Sequence, residues 1–206
     1  MRRSLLTAGI LVLAGAWLGP LPRLAAEAFY AHMTMHMGVV AVAAPLLAMG
    51  LSGGALDPVR RRPDLFHPIA ASVVELVVVW SWHAPGLHHF ARSRTSGLIA
   101  EQGMFLAAGL FVWLSALGGE RGRGREAAGI AGLLLTAMHM TLLGALLALA
   151  TRPLYHAEAG VSGLTALEDQ HLGGAIMLLV GGVAYMAGGL WLTVGLLRES
   201  EAGESA

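Results

Sequence analysis

The chain has 206 residues, of which 56% are hydrophobic and only 13% are charged, whereas charged residues make up about a quarter of an ordinary soluble domain. Its formal net charge is zero, which excludes the basic surface excess of a nucleic-acid-binding protein. It contains no cysteine, so disulfides, thiolate metal sites and a thiol nucleophile are excluded, and soft-metal binding would depend on methionine and histidine.

Long apolar stretches alternate with short polar loops along the whole chain. A helix that crosses a bilayer needs about 20 mostly apolar residues. Six stretches meet this requirement: 4–22, 29–51, 67–88, 97–118, 127–150 and 170–197. The pattern predicts an all-α, polytopic transmembrane helix bundle of about six spans, with residues 1–206 as a single integral membrane domain. The first stretch also has the features of a signal sequence, because it follows Met1-Arg2-Arg3 and precedes Leu24-Ala25-Ala26.

The basic residues are all arginines and cluster between the predicted spans. Cytoplasmic loops carry an excess of basic residues. With the N-terminus inside, nine arginines lie in the cytoplasm: Arg2, Arg3, Arg60, Arg61, Arg62, Arg121, Arg123, Arg125 and Arg198. Four lie outside: Arg23, Arg92, Arg94 and Arg152. The distribution therefore predicts a cytoplasmic N-terminus.

Ionisable side chains within the predicted spans are the first candidates for function, because polar groups in the bilayer core are costly. His32 and His36 lie four residues apart near the outer end of the second span and share one side of its helix. His83 lies at the outer end of the third span, just before Pro85, and His139 lies about halfway along the fifth. Their joint occurrence favours a metal or cofactor site over a purely structural polar network.

Other polar residues in or near the spans have less specific interpretations. Glu101 and Asp169 lie near the outer starts of the fourth and sixth spans. Histidines in outer loops or at span ends are predicted to be interfacial residues that meet water; they are His88, His89 and His156. Glu75 lies in the middle of the third span, where it belongs either to a proton path or to a hydrogen bond with a neighbouring helix.

The choice of metal depends on the ligand types. Thioether and imidazole groups together suit copper, particularly Cu(I), whereas imidazoles with a carboxylate suit zinc equally well. Met33 and Met37 form a row beside the two histidines of the second span, so copper is favoured over zinc. Haem is a further alternative, since two histidines on facing helices can hold its iron. No nucleophile constellation is visible, so no catalytic residue and no enzymatic activity are predicted.

Several short motifs occur in order from the second span onward. They are His32-Met33-Thr34-Met35-His36-Met37, Ala44-Pro45-Leu46-Leu47, Trp82-His83-Ala84-Pro85, Glu101, Met138-His139-Met140, Leu142-Leu143-Gly144-Ala145, Pro153-Leu154-Tyr155 and Asp169-Gln170-His171-Leu172-Gly173-Gly174-Ala175-Ile176-Met177. In this set the chain resembles the multispanning CtaG-like cytochrome c oxidase assembly factors of bacteria. Two positions depart from the family pattern: Gln102 stands where a histidine is expected, and Leu178 where a tryptophan is expected.

The resemblance implies a protein of the bacterial cell (inner) membrane that is needed to mature a haem–copper oxidase, with copper supply as its expected role. The expected partners are membrane lipid, haem–copper oxidase subunits and a periplasmic copper donor. By motif position, the expected metal site consists of His32, Met33, His36, Met37, His83, Glu101, His139 and Asp169. The two methionines would meet an incoming ion first and the four histidines would bind it more deeply. Asp169 or Glu101 would orient the imidazole protons.

Three other interpretations remain open. The chain could be a copper or other metal transporter that uses the same ligands, with Glu75 as a deeper relay. It could be a membrane haem protein or redox enzyme. It could also be a scaffold whose histidines only form hydrogen bonds. The metal-site interpretations require that imidazoles from separate spans meet at the outer end of the bundle.

Overall fold

The computed structural model describes residues 1–120, 122–155 and 163–204, with side chains as far as residue 198. The elements in chain order are α1 (Arg2–Leu18), α2 (Leu21–Glu27), α3 (Phe29–Met37), a π-helical segment (Gly38–Ala43), α4 (Ala44–Leu51), α5 (Pro58–Arg61), a 3-10 turn (Pro63–Leu65), α6 (Pro68–His83), α7 (Pro85–Ser93), α8 (Thr95–Leu117), α9 (Arg123–Ala148) and α10 (Ala166–Glu204). The prediction of an all-α helical bundle is confirmed.

Several helices are long and apolar enough to cross a membrane. Among the described residues, four segments meet this requirement as single helices: Phe29–Leu51, Thr95–Leu117, Arg123–Ala148 and Ala166–Arg198. The first of these combines α3, the π-helical segment and α4. Two more candidate spans are bent helix pairs, in which α1 and α2 meet at 48° and α6 and α7 meet at 71°. If each bent pair counts as one span, the part of the chain that the structure describes contains six candidate spans, the number that the sequence predicts.

Proline explains the bend between α6 and α7. Pro85 has no backbone N–H, and its ring disfavours the helical conformation of the residue before it. Ala84 accordingly has extended dihedral angles, with φ −66° and ψ 134°, and a new helix begins at Pro85. The third predicted span, 67–88, is therefore split at Ala84, and the residues after the split leave the direction of α6.

The two longest helices, α9 and α10, approach each other closely. A β-carbon at Gly174 of α10 would lie 2.5 Å from the backbone N of Ala148 and 2.8 Å from the backbone O of Gly144, both in α9. The two backbones can come this close only because residue 174 has no side chain. Gly182 on the same helix is different, since no atom lies within 4 Å of a β-carbon placed there.

These two glycines provide a matched test of the packing. Gly174→Ala is expected to lower the free energy of unfolding by about 1–3 kcal/mol, because the new methyl group meets backbone that cannot move aside. Gly182→Ala is expected to be neutral or to stabilise the protein by up to about 1 kcal/mol, since alanine favours a helix more than glycine does. Unfolding of both purified variants in mixed detergent micelles measures the difference. Equal stabilities would rule out the close approach of α9 and α10.

Arginine side chains gather at one end of the bundle. Arg125 Nε donates a hydrogen bond to Gly118 O at 2.7 Å, and Arg60 pairs with Glu120 at 4.0 Å. Arg2 reaches the loop after α4, where a β-carbon at Gly53 would lie 2.8 Å from its guanidinium. We call this the arginine end. The opposite end, which we call the histidine end, contains the C-terminus of α6 and the N-termini of α3, α7 and α8.

Candidate metal centre

Four histidines meet at the histidine end: His32 and His36 of α3, His83 of α6 and His88 of α7. The distances between their ring centroids are 4.9 Å for His32–His88, 5.1 Å for His36–His83, 5.3 Å for His32–His83 and 6.2 Å for His32–His36. Each of the four residues is at most 7% exposed. We call these residues the histidine cluster.

Helix α3 presents different side chains to its different neighbours. His32 and His36 lie one turn apart and face α6 and α8, where the Phe105 ring packs at 4.1 Å from the ring of His36. Met33 and Met37 face α10 instead. A β-carbon at Gly173 would lie 3.1 Å from Met33 Cγ, and one at Gly181 would lie 3.8 Å from Met37 Sδ. The structure therefore places both methionines on the α10 side of the helix, fully buried, and not at the outer surface.

The hydrogen bonding of His83 leaves one ring nitrogen free for a ligand. Its Nδ1 lies 2.7 Å from the backbone O of Val79. A carbonyl oxygen can only accept a hydrogen bond, so Nδ1 carries the proton and Nε2 carries the lone pair. Nε2 is buried without a hydrogen-bond partner. Metal-binding histidines typically have this arrangement, in which the second nitrogen donates to a backbone carbonyl or a carboxylate.

The other rings of the histidine cluster also carry buried nitrogens without a hydrogen-bond partner. They are both ring nitrogens of His32, both of His36, and Nδ1 of His88. Buried polar atoms are nearly always paired, and leaving one unpaired costs about 1–3 kcal/mol. Imidazole nitrogens are common ligands of transition metals. The residues therefore fit a metal ion, which would satisfy several of these atoms at once.

A buried ion pair adjoins the histidine cluster. Glu101 of α8 places its Oε2 at 3.7 Å from Nδ1 of His32, and Arg92 of α7 pairs with the same carboxylate. Arg92 Nη1 also donates to Ala25 O at 3.3 Å. One potential ligand atom from each of His32, His88 and Glu101 lies within 4.8 Å of the others. The carboxylate is thus close enough to share an ion with two imidazoles, while Arg92 balances its charge.

Gln102 occupies the position at which the family resemblance predicts a histidine. Its Nε2 donates to Glu101 Oε2 at 3.1 Å, and its Oε1 accepts a hydrogen bond from Trp17 Nε1 at 3.2 Å. The amide therefore connects α1 to the carboxylate beside the histidine cluster. Gln102 positions Glu101 in this protein and adds no imidazole to the site.

Two aromatic rings lie against the histidine cluster. Phe29 and Tyr155 are stacked with their centroids 4.3 Å apart, and they lie 5.5 Å and 4.4 Å from the ring of His88. The Tyr155 hydroxyl donates to the backbone O of His83 at 2.7 Å. Burial raises the pKa of Tyr155 above its usual value, so the hydroxyl keeps the proton that this bond requires.

Asp169 binds backbone groups at the start of α3. Its carboxylate accepts hydrogen bonds from the N–H of Phe29 at 2.7 Å and from the N–H of Tyr30 at 2.8 Å. The first N–H groups of a helix have no partner within the helix, so Asp169 of α10 caps α3 from outside. Asp169 thereby fixes the position of the helix that carries His32 and His36, and both of its oxygens are engaged in doing so.

Replacing Asp169 is therefore expected to affect folding more than metal content. Asp169→Ala removes two charge-assisted hydrogen bonds and should lower the free energy of unfolding of the metal-free protein by about 2–3 kcal/mol. If the histidine cluster binds metal, the number of ions bound at saturation should stay unchanged. The control Glu27→Ala removes an exposed carboxylate near the same helix start and should change stability by no more than about 0.5 kcal/mol. Lost metal binding at unchanged stability would instead make Asp169 a ligand.

Within the described residues, the ring of His139 of α9 does not contact the histidine cluster. Helices α6 and α9 run side by side, with Gly132 against Pro68 and the Thr136 hydroxyl bonded to that of Ser72. In both contacts the residue of α9 is numbered 64 higher than its partner in α6. The same difference places His139 at the level of Glu75. The structure thus brings together His32, His36, His83 and Glu101 of the predicted set and leaves His139 deeper in the bundle.

His88 and Arg92 are the site residues that sequence reasoning missed. The sequence interpretation placed His88 in water with His89 and His156. His89 is exposed and His156 lies outside the described residues, but His88 is buried because α7 turns back toward the bundle after the bend. One signal was available in the sequence. His88 and Arg92 lie four residues apart after Pro85, so they share one side of any helix that begins there.

All the helices that carry these residues lie within a region that matches a known protein family. Residues 1–199 match the family described as cytochrome c oxidase caa3 assembly factor (Caa3_CtaG). No curated protein and no solved structure matches the chain. The matched region covers nearly the whole sequence, and the chain therefore belongs to the cytochrome c oxidase caa3 assembly factor family.

Proposed function

We propose that this protein binds Cu(I) in the histidine cluster, at the outer side of the bacterial inner membrane, and delivers it to a haem–copper oxidase during assembly. The observation that carries the proposal is the set of buried ring nitrogens, from four histidines on three helices, that have no hydrogen-bond partner. Because the chain belongs to a family of cytochrome c oxidase assembly factors, an oxidase of this kind is the proposed recipient of the ion.

The possible ligand atoms around the site suit a metal ion that is bound only temporarily. His83 offers Nε2, and His32, His36 and His88 offer further ring nitrogens. Glu101 adds a carboxylate oxygen without a hydrogen-bond partner. A cluster with this many donors can give up one of them to an incoming ligand of a partner protein while the others still hold the ion. Ligand exchange of this kind would pass copper on without releasing it into solution.

The arginines support the membrane orientation in this proposal. By the positive-inside rule, an arginine-rich end favours the cytoplasmic side, and the histidine end would then face the outer side. This orientation would put the histidine cluster within reach of a periplasmic copper donor and of oxidase subunits in the same membrane.

Copper is favoured over haem by the spacing of the rings. The ring of His32 contacts the other three imidazoles, and Phe105 lies against three of the four rings, with centroid distances between 4.1 Å and 6.4 Å. A porphyrin between two of these rings would have to displace the others. A single metal ion needs no such space.

Complementation in a bacterium that lacks its own copy of this protein tests the proposal. The double variant His32→Phe/His36→Phe removes the nitrogens of two rings but keeps their aromatic packing. It should yield an oxidase with little copper and little activity, at unchanged total cellular copper. His89→Ala, an exposed histidine beside His88, is the control and should support normal assembly.

Three outcomes would overturn the proposal. Normal oxidase maturation by the double variant would leave the histidines a purely structural role. Copper uptake into sealed vesicles that contain only this protein, lost in the double variant, would assign it to transport. A Soret band in the purified protein, in the absence of bound copper, would assign it to haem binding.

A further inference from the structure

A second group of buried polar side chains lies in the middle of the bundle, away from the histidine cluster. Its centre is Glu75, eight residues before His83 on α6 and hence about 12 Å from it along the helix axis. Glu75 is fully buried, and so are Ser72 on the same helix and Thr136 on α9; Tyr185 on α10 is 2% exposed. Three helices therefore contribute oxygen atoms to this group.

The contacts of Glu75 hold one carboxyl oxygen and leave the other free. Tyr185 Oη donates to Glu75 Oε1 at 3.3 Å, while Glu75 Oε2 is buried without a partner. The Tyr185 ring is stacked on Trp113 of α8, at 5.3 Å and an angle of 7°, and Trp113 Nε1 donates to Val40 O at 3.0 Å. This stacking keeps the Tyr185 hydroxyl directed at Glu75.

The described residues provide no cation for Glu75. The ion pairs of the described residues lie at the two ends of the bundle, between His32, Arg92 and Glu101 and between Arg60 and Glu120. The titratable groups at the level of Glu75 are Tyr185 of α10 and His139 of α9, and neither side chain carries a permanent positive charge. The other neighbours of α6 are α8 and α7, whose charged groups Glu101 and Arg92 lie at the histidine end.

An ionised carboxylate in this position would be costly. Removing an isolated charge from water into the interior of a protein costs several kcal/mol, and the cost is higher within a membrane span. A neutral carboxyl group that accepts a hydrogen bond avoids most of this penalty. The surroundings of Glu75 therefore favour the form that carries a proton.

We propose that Glu75 is a proton-binding site in the middle of the membrane, separate from the histidine cluster. On release, the O–H bond of the carboxyl group breaks and the proton passes to water. The remaining carboxylate is then stabilised by the Tyr185 hydroxyl. This proposal does not rest on copper binding.

Infrared spectroscopy of the purified full-length protein tests the proposal directly. A neutral carboxyl group gives a C=O stretching band above the amide I region, and this band shifts in D₂O when the proton exchanges. The band is expected in the wild type and in the control Glu120→Gln, which alters an exposed carboxylate (88% exposed side chain). It is expected to be absent from Glu75→Gln, and in the wild type to fade reversibly as the pH is raised.

Tyr185→Phe keeps the test decisive if Glu75→Gln does not fold. This variant retains the carboxyl group but removes its hydrogen-bond donor, so the band should persist at a higher frequency. An absent band in the wild type, an unchanged band in Glu75→Gln, or an unchanged band in Tyr185→Phe would each overturn the proposal. Loss of the band on adding sodium chloride, but not choline chloride, at constant pH would assign the site to sodium ions and would also overturn it.

Discussion

Replacing His32 and His36 together with phenylalanine is expected to weaken Cu(I) binding by more than about 100-fold. Loss of a group that merely orients a metal ligand typically costs 10- to 100-fold in affinity, and this variant removes two of the proposed ligands. The phenyl rings keep the aromatic contacts with Phe105. Because the change also eliminates four buried ring nitrogens without partners, the metal-free variant should be at least as stable as the wild type.

Competition with a chromophoric Cu(I) chelator under anaerobic conditions measures this affinity, with elemental analysis as a check on stoichiometry. His139→Phe is the informative control, because His139 lies at the level of Glu75 and not in the histidine cluster. It should bind copper as the wild type does. If His139→Phe abolished binding while the double variant retained it, the ligands would have to be sought deeper in the bundle.

Removing Arg92 alone is expected to destabilise the metal-free protein by about 3–5 kcal/mol. The reason is that Arg92→Met leaves the buried Glu101 carboxylate without its counter-ion, which costs far more than the pair itself contributes. Adding Glu101→Gln to this variant removes the orphaned charge. The double variant should therefore recover most of the lost stability.

A double-mutant cycle on the free energy of unfolding measures this coupling. Arg23→Met, which alters an exposed arginine of α2, is the matched control and should have little effect. A double variant as unstable as Arg92→Met alone would show that Arg92 acts through its packing or through Ala25, and not through the charge of Glu101.

The sequence was sufficient to predict the spans and part of the candidate site. Apolar length predicts the six stretches, because each must cross the same thickness of hydrocarbon. The four-residue spacing of His32 and His36 predicts a shared helix side. The position of His83 at the end of its span predicts that it reaches the same end of the bundle. These inferences depend on local periodicity and on the alternation of span directions, both of which are visible in one chain.

The rest depends on contacts between helices that the sequence does not encode locally. Asp169 was expected to orient an imidazole, but its partners are the backbone N–H groups of Phe29 and Tyr30, some 140 residues earlier. Met33 and Met37 lie four residues apart, as His32 and His36 do. Only the position of α10 decides that Met33 packs on Gly173. Gln102 could be read only as a missing histidine until its contacts with Trp17 and Glu101 were known.

The break at Ala84 determines the directions of the side chains that precede and follow it. In an unbroken helix, residues five positions apart project about 140° from each other around the axis, so His83 and His88 would point at different neighbours. Because α6 and α7 instead meet at 71°, both imidazoles are buried in the bundle, one from each helix. The proline bend thus lets two histidines of one span, His83 and His88, both pack against the ring of His32 on α3.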